Sequence, residues 1–334
     1  MKILITGSAG FIGYHLAQSL LLDNNISVIG IDNINDYYDT KLKKSRLANL
    51  KNINFSFYQI DISDKFSLDA LFADNDFDVV VNLAAQAGVR YSITHPEKYI
   101  ESNILGFNNI LEACRKNNIK NLVYASSSSV YGMNSIMPFS EDDEVNHPIS
   151  LYAATKKSNE LMAHTYSHLY DIPTTGLRFF TVYGPWGRPD MAYFSFTKSI
   201  IEGKPIKVFN NGNMMRDFTY IDDIVDGIKK VINDPAKPDA KWNSESPKPS
   251  SSLAPYRILN LGNNNPIPLN EFIKAIEEAT EKDAIIEYLP MQPGDVEKTY
   301  ANIDKMKHLY NFKPATSIRK GINNFVDWYT SYHG

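Results

Sequence analysis

The stretch GSAGFIG, at positions 7–13, lies directly between the strand-like run KILIT (2–6) and the amphipathic segment FIGYHLAQSLL (11–21). Gly7, Gly10 and Gly13 permit a tight turn, let a pyrophosphate approach the backbone, and let the helix pack closely on the strand. The first turn of such a helix presents unpaired N–H groups that bind phosphate. A strand before these glycines and a helix after them therefore predict a dinucleotide-binding turn.

Asp32 closes the next strand-like run, SVIGID (27–32). A carboxylate at this place accepts hydrogen bonds from the adenosine ribose and repels a 2′-phosphate, which favours NAD over NADP as the cofactor. In the alternative interpretation, Asp32 is only a turn residue that opens the segment DNIND. Asp61 and Ile62 end the third strand-like run, and we expect them at the adenine edge.

Short β-branched runs alternate with longer helical patterns from the N-terminus to Arg178. This alternation predicts an α/β fold with a doubly wound parallel sheet of the Rossmann type. After Arg178 the pattern breaks into a loop rich in Pro and Gly, and a further strand-like run, YRILNLGN (256–263), follows later. We therefore expect an NAD-binding domain at 1–178 plus about 221–263. A smaller, discontinuous, mixed α/β domain would span about 179–220 and 264–334.

Composition excludes several classes of function. The 334 residues carry a formal net charge of −4, which is not the basic balance of a nucleic-acid-binding protein. We interpret the basic cluster KLKKSR (41–46) as the solvent-exposed face of a helix. A lone cysteine, Cys114, rules out an internal disulfide, and the seven scattered histidines predict no metal site. The N-terminal apolar run is too short for a signal peptide or a membrane span, so we expect a soluble, cytoplasmic protein without membrane partners.

The segment SLYAATK (150–156) holds Tyr152 and Lys156 four residues apart, so the two side chains share one face of a helix. Such a pair also arises by chance, as a tyrosine packed over the stem of a surface lysine. Ser127 favours the functional interpretation, because it lies where the fifth strand-like run, NLVYASS, ends. Ligands of parallel-sheet folds bind at the carboxyl ends of the strands.

Taken together, these motifs resemble the extended short-chain dehydrogenase/reductase family, and within it the NAD-dependent nucleotide-sugar 4-epimerases. The resemblance runs nearly from end to end. Two segments, APYRILNLGN (254–263) and QPGDVEKTYANI (292–303), are most similar to UDP-glucuronate 4-epimerases. The other segments that carry it are NLAAQAGV (82–89), SSSSVYG (126–132), RFFTVYGPWGRPDM (178–191) and RDFTYIDDI (216–224).

The resemblance implies a role for each matching residue. Tyr152 would be the catalytic base, Ser127 would hydrogen-bond the reacting hydroxyl, and Lys156 would hold the nicotinamide ribose and help to stabilise a phenolate. NAD would oxidise carbon 4 of a UDP-sugar, the 4-keto intermediate would rotate, and its other face would be reduced. The remaining cofactor contacts would come from Phe11, Ile12, Asn33, Leu83, Ala84, Ala85, Gln86 and Asn103. Asn103 would help to order the active site, and its alternative role is helix capping.

The four serines at 126–129 bear on the type of reaction, because related enzymes carry an acidic residue in this segment. Related dehydratases carry Thr-Asp-Glu before VYG, and UDP-glucuronate decarboxylases carry Thr-Ser-Glu, whereas this chain has Ser127, Ser128 and Ser129. A 4-keto glucuronate is a β-keto acid that loses carbon dioxide easily, so an epimerase should hold its carboxylate with neutral donors. We expect Ser128 and Thr181 to be those donors. Ser126 and Ser129 are expected to satisfy local backbone groups at the strand end.

Arginines supply the expected contacts with the rest of the substrate. Arg90 and Arg188 would lie near the sugar carboxylate, although either one taken alone is more often a surface charge. By resemblance, Arg216 would bind the UDP diphosphate through charge-assisted hydrogen bonds, and Val208 of IKVF (206–209) would flank the uracil. Asp295 would complete the substrate site. The tandem acids Asp222 and Asp223 are expected to cap the helix that follows them.

The favoured substrate pair is thus UDP-glucuronate and UDP-galacturonate. Three alternatives stay open: a 4-epimerase of a neutral or N-acetylated UDP-hexose, a UDP-glucuronate decarboxylase, and a non-catalytic NAD sensor. A sensor typically lacks the tyrosine–lysine pair that this chain has. The long segments around 96–117 and 150–170 carry apolar residues on more than one face. By resemblance, two copies of this helix pair would form a four-helix bundle in a homodimer.

Overall fold

The computed structural model describes residues 1–292 and 295–334. The strands are β1 (Lys2–Thr6), β2 (Ser27–Asp32), β3 (Phe55–Gln59), β4 (Val79–Asn82), β5 (Asn121–Ser127), β6 (Thr174–Phe179), β7 (Thr181–Tyr183), β8 (Ile206–Phe209), β9 (Met215–Tyr220), β10 (Tyr256–Leu261), β11 (Pro266–Pro268) and β12 (Ile286–Leu289). The helices are α1 (Phe11–Leu20), α2 (Thr40–Asn49), α3 (Lys65–Ala73), α4 (Tyr91–Thr94), α5 (Pro96–Tyr99), α6 (Phe107–Lys116), α7 (Leu151–Tyr170), α8 (Ala192–Ile201), α9 (Ile221–Ile232), α10 (Leu269–Thr280), α11 (Asp304–Tyr310) and α12 (Ile318–His333). A π-helical stretch, Ile100–Gly106, joins α5 to α6.

Seven strands form the central sheet in the order β10-β6-β5-β4-β1-β2-β3. Every neighbouring pair in it is parallel. The strand order reverses at β1, whose neighbours β2 and β4 lie on opposite sides, so ligands are expected beyond the carboxyl end of β1. The prediction of a doubly wound parallel sheet is confirmed.

Strand residues alternate between two buried layers, because successive side chains of a strand point to opposite faces of the sheet. Ile3 and Ile5 pack in a core cluster with residues of α1 and α9, whereas Leu4 packs in a second cluster with residues of α3 and α6. Both faces are therefore covered by helices. This double burial explains why runs such as VVVN in β4 are apolar without alternation.

The remaining strands form two small sheets outside the central one. Strand β9 lies between β7, to which it is parallel, and β11, to which it is antiparallel, while β8 and β12 form a parallel pair. Helix α10 packs against α8 and α12, and Phe218 of β9 stacks on Phe272 of α10 with ring centroids 4.3 Å apart. This second lobe stands over the carboxyl ends of the central strands.

Two chain segments return to the first lobe. Strand β10 is an edge strand of the central sheet, and α9 packs against α1. Helix α11 packs against β10 and α9, so not all of 264–334 contacts the second lobe. None of the helices in the described ranges is long and apolar enough to span a bilayer.

Candidate active site

A cleft of about 1020 Å³ opens beyond the carboxyl ends of the central strands and extends under the second lobe. Nearly all of the predicted site residues line it. They are Gly7, Gly10, Phe11, Ile12, Gly13, Asp32, Asn33, Asp61, Ile62, Leu83, Ala84, Ala85, Gln86, Arg90, Ser127, Ser128, Tyr152, Lys156, Thr181, Arg188, Arg216 and Asp295. Asn103 and Val208 are absent from this lining among the residues that the structure describes.

The glycine turn at 7–13 has no room for side chains. A Cβ on Gly7 would lie 2.8 Å from the Ala84 nitrogen, and the φ of Gly7 is +72°. A Cβ on Gly13 would lie 2.2 Å from the Gly7 carbonyl oxygen. Helix α1 begins with Gly10 as its N-cap and no side chain caps it, so its first N–H groups stay available to a phosphate. The turn fits the pyrophosphate of a dinucleotide.

The adenosine end of the cleft carries two aspartates. Asp32 is almost fully buried, and its Oδ1 accepts a hydrogen bond of 2.8 Å from the Ile34 nitrogen. Desolvation raises the pKa of Asp32, and the charge of Lys43 opposes that rise. Asp61 accepts a 2.7 Å hydrogen bond from Asn33 Nδ2. Asp32 therefore forms the turn proposed as the alternative and also lines the cleft, so the two interpretations do not exclude each other.

Helix α7 brings Tyr152 and Lys156 to the cleft. Ser150 caps this helix by accepting a hydrogen bond from the Ala153 nitrogen, and Lys156 Nζ donates 2.9 Å to the carbonyl oxygen of Ala125 on β5. Burial lowers the pKa of Lys156 to about 8. Desolvation raises the pKa of Tyr152, while the Ser127 hydroxyl and the charge of Arg188 oppose the rise.

The four serines differ in their partners. Ser126 Oγ donates 2.7 Å to the buried carboxylate of Glu160, so the expectation that Ser126 serves a local backbone group is wrong. Ser127 Oγ donates 3.1 Å to Ser129 Oγ and accepts from the Ser129 nitrogen, which turns the chain at the end of β5. Within residues 1–292 and 295–334, the Ser128 hydroxyl has no protein partner.

Glu160 lies one turn after Lys156 on α7 and is fully buried. Arg178 of β6 donates to both of its carboxylate oxygens, at 2.8 Å from Nε and 3.0 Å from Nη2. These contacts hold the pKa of Glu160 below its usual value against the desolvation that raises it. The ion pair joins α7 to β5, through Ser126, and to β6, directly below the tyrosine–lysine pair.

Asn103 acts behind the cleft instead of within it. Its Oδ1 accepts 2.8 Å from the Gln86 nitrogen, and its Nδ2 donates 3.0 Å to the Gln86 carbonyl and 3.0 Å to Thr155 Oγ1. It lies inside the π-helical stretch, so the capping alternative is wrong. Asn103 is 2% exposed and fixes Gln86, which lines the cleft, and this agrees with the expected role in ordering the site.

Two arginines at the sugar end already have carboxylate partners. Arg188 Nη2 lies 2.6 Å from Asp190 Oδ2 and its Nε lies 3.0 Å from Asp190 Oδ1. Arg90 Nη2 lies 2.7 Å from Asp295 Oδ2. Both arginines are therefore neutralised by an internal ion pair, and each has N–H donors that its ion pair does not use, so their contact with a sugar carboxylate stays a prediction. The Thr181 hydroxyl lines the same region and, over the described ranges, makes no protein hydrogen bond.

The far end of the cleft is built by β8 and β9. Val208 is fully buried, whereas Ile206, Lys207 and Phe209 of the same strand line the cleft. The contact of Val208 with the uracil stays a prediction. Arg216 donates 2.9 Å to the Met215 carbonyl and 3.1 Å to the Glu297 carbonyl from Nη1. Pro293 and Gly294 of the QPGD segment lie outside the described residues.

The tandem acids after β9 do not cap α9. Asp223 accepts hydrogen bonds of 3.2 Å from the backbone nitrogens of Ala315 and Thr316, and the N-cap position is Tyr220. Asp222 and Asp223 lie in the first turn, where a negative charge is favourable to the helix dipole. The capping prediction is wrong, and Asp223 instead anchors the segment that precedes α12.

Comparison with known proteins assigns the family. The model described as the NAD dependent epimerase/dehydratase family matches residues 3–243. The chain belongs to this family. The resemblance to extended short-chain dehydrogenases is thereby confirmed, and NAD is the cofactor.

Individual relatives of this epimerase/dehydratase family cover the whole chain. A protein named CapI from Staphylococcus aureus is 58% identical over 100% of this chain and 99% of its own length. A probable UDP-glucuronate 4-epimerase from Rhizobium meliloti is 45% identical over 98% of this chain and 97% of its own. The UDP-glucuronic acid 4-epimerase of Bacillus cereus, solved with UDP-glucuronic acid and NAD, has a TM-score of 0.89 at 35% identity and covers 99% of this chain and 100% of its own.

Sequence reasoning missed several residues of this epimerase/dehydratase cleft. Tyr37 and Asp190 line it, and the Tyr37 hydroxyl donates 3.1 Å to Asp190 Oδ2. Lys43 also lines it, with its Nζ 2.7 Å from Asn35 Oδ1. Arg46 is fully buried and Lys43 is 5% exposed, so the interpretation of KLKKSR as a solvent-exposed face is wrong for these two of its four basic residues. The regular spacing of Leu42, Lys43 and Arg46 on one face of α2 was the available signal.

Proposed function

We propose that this chain interconverts UDP-glucuronate and UDP-galacturonate by NAD-dependent oxidation and re-reduction at carbon 4. The observation that carries the proposal is the sugar end of the cleft. Ser128 and Thr181 present hydroxyls without protein partners over the described ranges, and Asp190 and Asp295 are held by arginines. A site with neutral donors and no available carboxylic acid suits a sugar acid that must keep its carboxylate.

The cofactor end supplies what NAD requires. The glycine turn and the start of α1 would hold the pyrophosphate, Asp32 the adenosine ribose, and Asp61 with Ile62 the adenine edge. Lys156 uses one N–H on the Ala125 carbonyl, which leaves its other donors for the nicotinamide ribose. Bound NAD would supply the hydride acceptor and donor for carbon 4 and a positively charged ring that favours a tyrosine phenolate.

Tyr152 would take the proton of the 4-hydroxyl and give it back after the sugar has turned. Its raised pKa means that the phenol stays protonated unless a cation stands close to it. Lys156, on the same face of α7, provides that cation below its pKa of about 8. Ser127 would orient the reacting hydroxyl, since its own hydroxyl is placed by Ser129 at the end of β5.

The 4-keto intermediate of a glucuronate is a β-keto acid, and it keeps its carboxylate only while the scissile bond is held away from alignment with the ketone. Hydroxyl donors from Ser128 and Thr181 would fix the carboxylate without supplying a proton. In the described part of the cleft, the other lining carboxylates are Asp32 and Asp61, at the adenosine end. This arrangement favours epimerisation over loss of carbon dioxide.

One assay tests the proposal. Purified protein with catalytic NAD is incubated with UDP-glucuronate and, separately, with UDP-glucose, and the products are resolved as UDP-galacturonate, UDP-galactose and UDP-pentose. We expect UDP-galacturonate from UDP-glucuronate, no stoichiometric NADH, and little UDP-pentose. UDP-galactose as the faster product would instead establish a neutral-sugar epimerase.

The neutral-sugar 4-epimerase is the second candidate, because both arginines at the sugar end are neutralised by aspartates. Arg188 is paired with Asp190 and Arg90 with Asp295, so no net positive charge from these pairs attracts a sugar carboxylate. A neutral hexose would leave both ion pairs intact. The assay above separates the two candidates directly.

We further propose a homodimer in the cytoplasm, with α6 and α7 of each copy in a four-helix bundle, and a division of the chain into the two domains given above. Leu161 and Leu169 on α7 are 59% and 60% exposed, and Ile100 and Leu105 before α6 are each 49% exposed. Apolar side chains this exposed on neighbouring helices support a covered surface, and a second copy would cover it.

Changing Leu161 and Leu169 together to Glu should convert a dimer into a monomer, since charges would be buried in the bundle. Leu309→Glu is the matched control, because Leu309 is 51% exposed on α11, outside the proposed interface. Light scattering measures the mass of all three proteins. A wild-type monomer at micromolar concentration would contradict the dimer.

A further inference from the structure

We propose that Arg46 is a positioning residue that couples the glycine turn of the NAD site to the loop that carries Arg188. Arg46 is fully buried on α2. Its Nη1 donates 2.9 Å to the carbonyl of Ala9, in the glycine turn. Its Nε and Nη2 donate 3.1 and 2.6 Å to the carbonyl of Trp186, and Nη2 donates 3.1 Å to that of Gly187. One guanidinium thus bridges two loops that border opposite parts of the cleft.

Because the Arg46 guanidinium is buried, each of its N–H donors needs a well-placed acceptor. Over the described ranges Arg46 forms no ion pair, and its remaining contact is a 2.7 Å hydrogen bond from Nη1 to the Tyr38 hydroxyl. A buried guanidinium without a carboxylate is tolerated only when its donors are satisfied by well-placed oxygens. Any displacement of the Ala9 or Trp186 carbonyl would leave buried donors unpaired, so Arg46 holds the two loops at a fixed distance.

Trp186 adds a second, independent observation. Its φ is +60°, the left-handed region that bulky residues avoid. Such a backbone persists only where its surroundings over-determine it, and it concentrates at functional sites. Two nitrogens of the Arg46 guanidinium donate hydrogen bonds to the Trp186 carbonyl. The Trp186 indole packs on Tyr14, Trp328 and Tyr332, with ring centroids 5.7, 5.2 and 5.1 Å away.

The bridge reaches the sugar end through two residues of chain. Arg188 follows Gly187 directly, and its ion pair with Asp190 borders the cleft. A pyrophosphate bound to the glycine turn would restrict the position of the Ala9 carbonyl. Through Arg46, it would also restrict the position of Trp186 and Gly187, which precede Arg188. Bound NAD would therefore tighten sugar binding, and by thermodynamic reciprocity the sugar would tighten NAD binding. That sugar binds here rests on the proposed function.

The test compares Arg46→Met and Arg46→Lys with Arg257→Met. Arg257 likewise donates to a backbone carbonyl, that of Asp234, and to Thr175 Oγ1, but it lies on β10 away from the cleft. Binding is measured by calorimetry in a Tyr152→Phe background, which stops turnover, for UDP-glucuronate, UDP-glucose and UDP, each with and without saturating NAD.

In the parent background, NAD should tighten binding of the preferred UDP-sugar at least about fivefold, and it should leave UDP binding unchanged within about twofold. Arg46→Met should abolish this coupling, and Arg46→Lys, which keeps the charge but not the fork, should reduce it. Arg257→Met should keep it whole. Coupling that survives in both Arg46 variants, or that is lost equally in Arg257→Met, would overturn the proposal.

A spectroscopic measurement serves if Arg46→Met folds poorly or if the proposed substrate is wrong. In a Trp242→Phe background the remaining indoles, Trp186 and Trp328, pack together in the Arg46 region. NAD binding should reduce acrylamide quenching of their fluorescence in the parent, and clearly less in Arg46→Lys. Equal protection in both proteins would overturn the coupling role. Protection that depends on Arg46, without turnover of UDP-glucuronate, would support it and refute only the substrate.

Discussion

The two ends of the cleft are constructed in different ways. At the cofactor end, the residues that line it follow directly from strands of the central sheet, such as the glycine turn after β1 and Asp32 at the end of β2. At the sugar end, much of the lining is formed by loop residues whose charged side chains are paired with each other, such as Arg188 with Asp190. The cofactor end is fixed by backbone geometry, whereas the sugar end depends on side-chain pairs.

The two ends of the cleft are expected to serve different purposes, the reaction itself at one end and the selection of the sugar at the other. Tyr152 and Lys156, the proposed reacting groups, lie on one helix that is anchored on β5 and β6, so they belong to the end that the central sheet fixes. Ser128 and Thr181, which would choose the sugar, offer only hydroxyls. Changes at the cofactor end should therefore remove activity for every substrate, and changes at the sugar end should alter which substrate is used.

The largest effect is expected from Tyr152→Phe. Loss of the phenol removes the only base proposed for the 4-hydroxyl, so turnover of UDP-glucuronate should fall about 100- to 10,000-fold while NAD still binds. Tyr166→Phe is the control on the same helix, since the Tyr166 hydroxyl donates 2.7 Å to Glu112 outside the cleft. Product formation measures activity. Near-normal turnover in Tyr152→Phe would refute the mechanism.

The second prediction concerns the backbone of the cofactor end. Gly7→Ala places a Cβ 2.8 Å from the Ala84 nitrogen at a φ of +72°, so NAD affinity should fall about 100-fold and stability should also drop. Gly203→Ala is the matched control, because Gly203 has a similar φ of +67° but open space around it. Titration with NAD and urea unfolding measure the two quantities. Gly203→Ala should lose about 1 kcal/mol of stability and no NAD affinity.

The third prediction tests the hydroxyls of the sugar end. Ser128→Ala and Thr181→Val should each lower kcat/KM for UDP-glucuronate about tenfold, and for UDP-glucose less than about twofold, because only the former offers a carboxylate to hydrogen-bond. UDP-pentose should accumulate as a side product. Ser195→Ala is the control, since Ser195 lines the cleft but donates its hydroxyl to the Ala192 carbonyl. Equal losses on both sugars would assign the two hydroxyls to positioning alone.

The smallest effect is a dependence on pH. Burial lowers the pKa of Lys156 to about 8, so its positive charge, and with it NAD affinity and turnover, should decline as the pH rises through 8. Stability should change in the opposite sense. The unfolded chain keeps this proton to about pH 10.4 while the folded protein releases it above 8, so the contribution of Lys156 to the free energy of unfolding rises between those values.

Both quantities are measured from pH 7 to 9.5, by NAD titration and by urea unfolding. Lys156→Met should remove both trends. Lys157→Ala, which changes the adjacent lysine whose Nζ lies 3.4 Å from Glu160, should leave the trend in NAD affinity in place. A trend in NAD affinity that persists in Lys156→Met belongs to another group.

The sequence alone predicts the location of a residue where the type of that residue, such as glycine in a tight turn, restricts where it can lie in the fold. Gly7 and Gly13 admit no side chain, and Asp32 ends β2, so the sequence alone places these three residues at the cleft. The alternation of strands and helices likewise predicted the sheet. Tyr152 and Lys156 could be placed because a four-residue spacing determines a shared helix face.

The rest depended on contacts between distant segments. Arg188 and Asp190 neutralise each other, and Arg90 meets Asp295 across a large separation in the chain, so neither pairing is visible in local pattern. Val208 was assigned by resemblance, and its complete burial follows from how β8 packs in the fold, which the local sequence does not show. Arg46 was misjudged because a basic helix face is normally solvated, and only the fold puts the glycine turn against it.

The Glu160–Arg178 ion pair has a consequence for enzyme engineering. The proposed reacting groups, Tyr152 and Lys156, occupy one turn of a single helix, which suggests that this helix alone would transfer them to another scaffold. Glu160 lies on the same face of α7, one turn after Lys156, and its carboxylate is paired with Arg178 of β6 and Ser126 of β5. A buried carboxylate without these partners would destabilise the folded protein. A graft of the tyrosine–lysine helix onto another scaffold must therefore carry Ser126 and Arg178 with it, or replace Glu160 by an apolar residue of similar size.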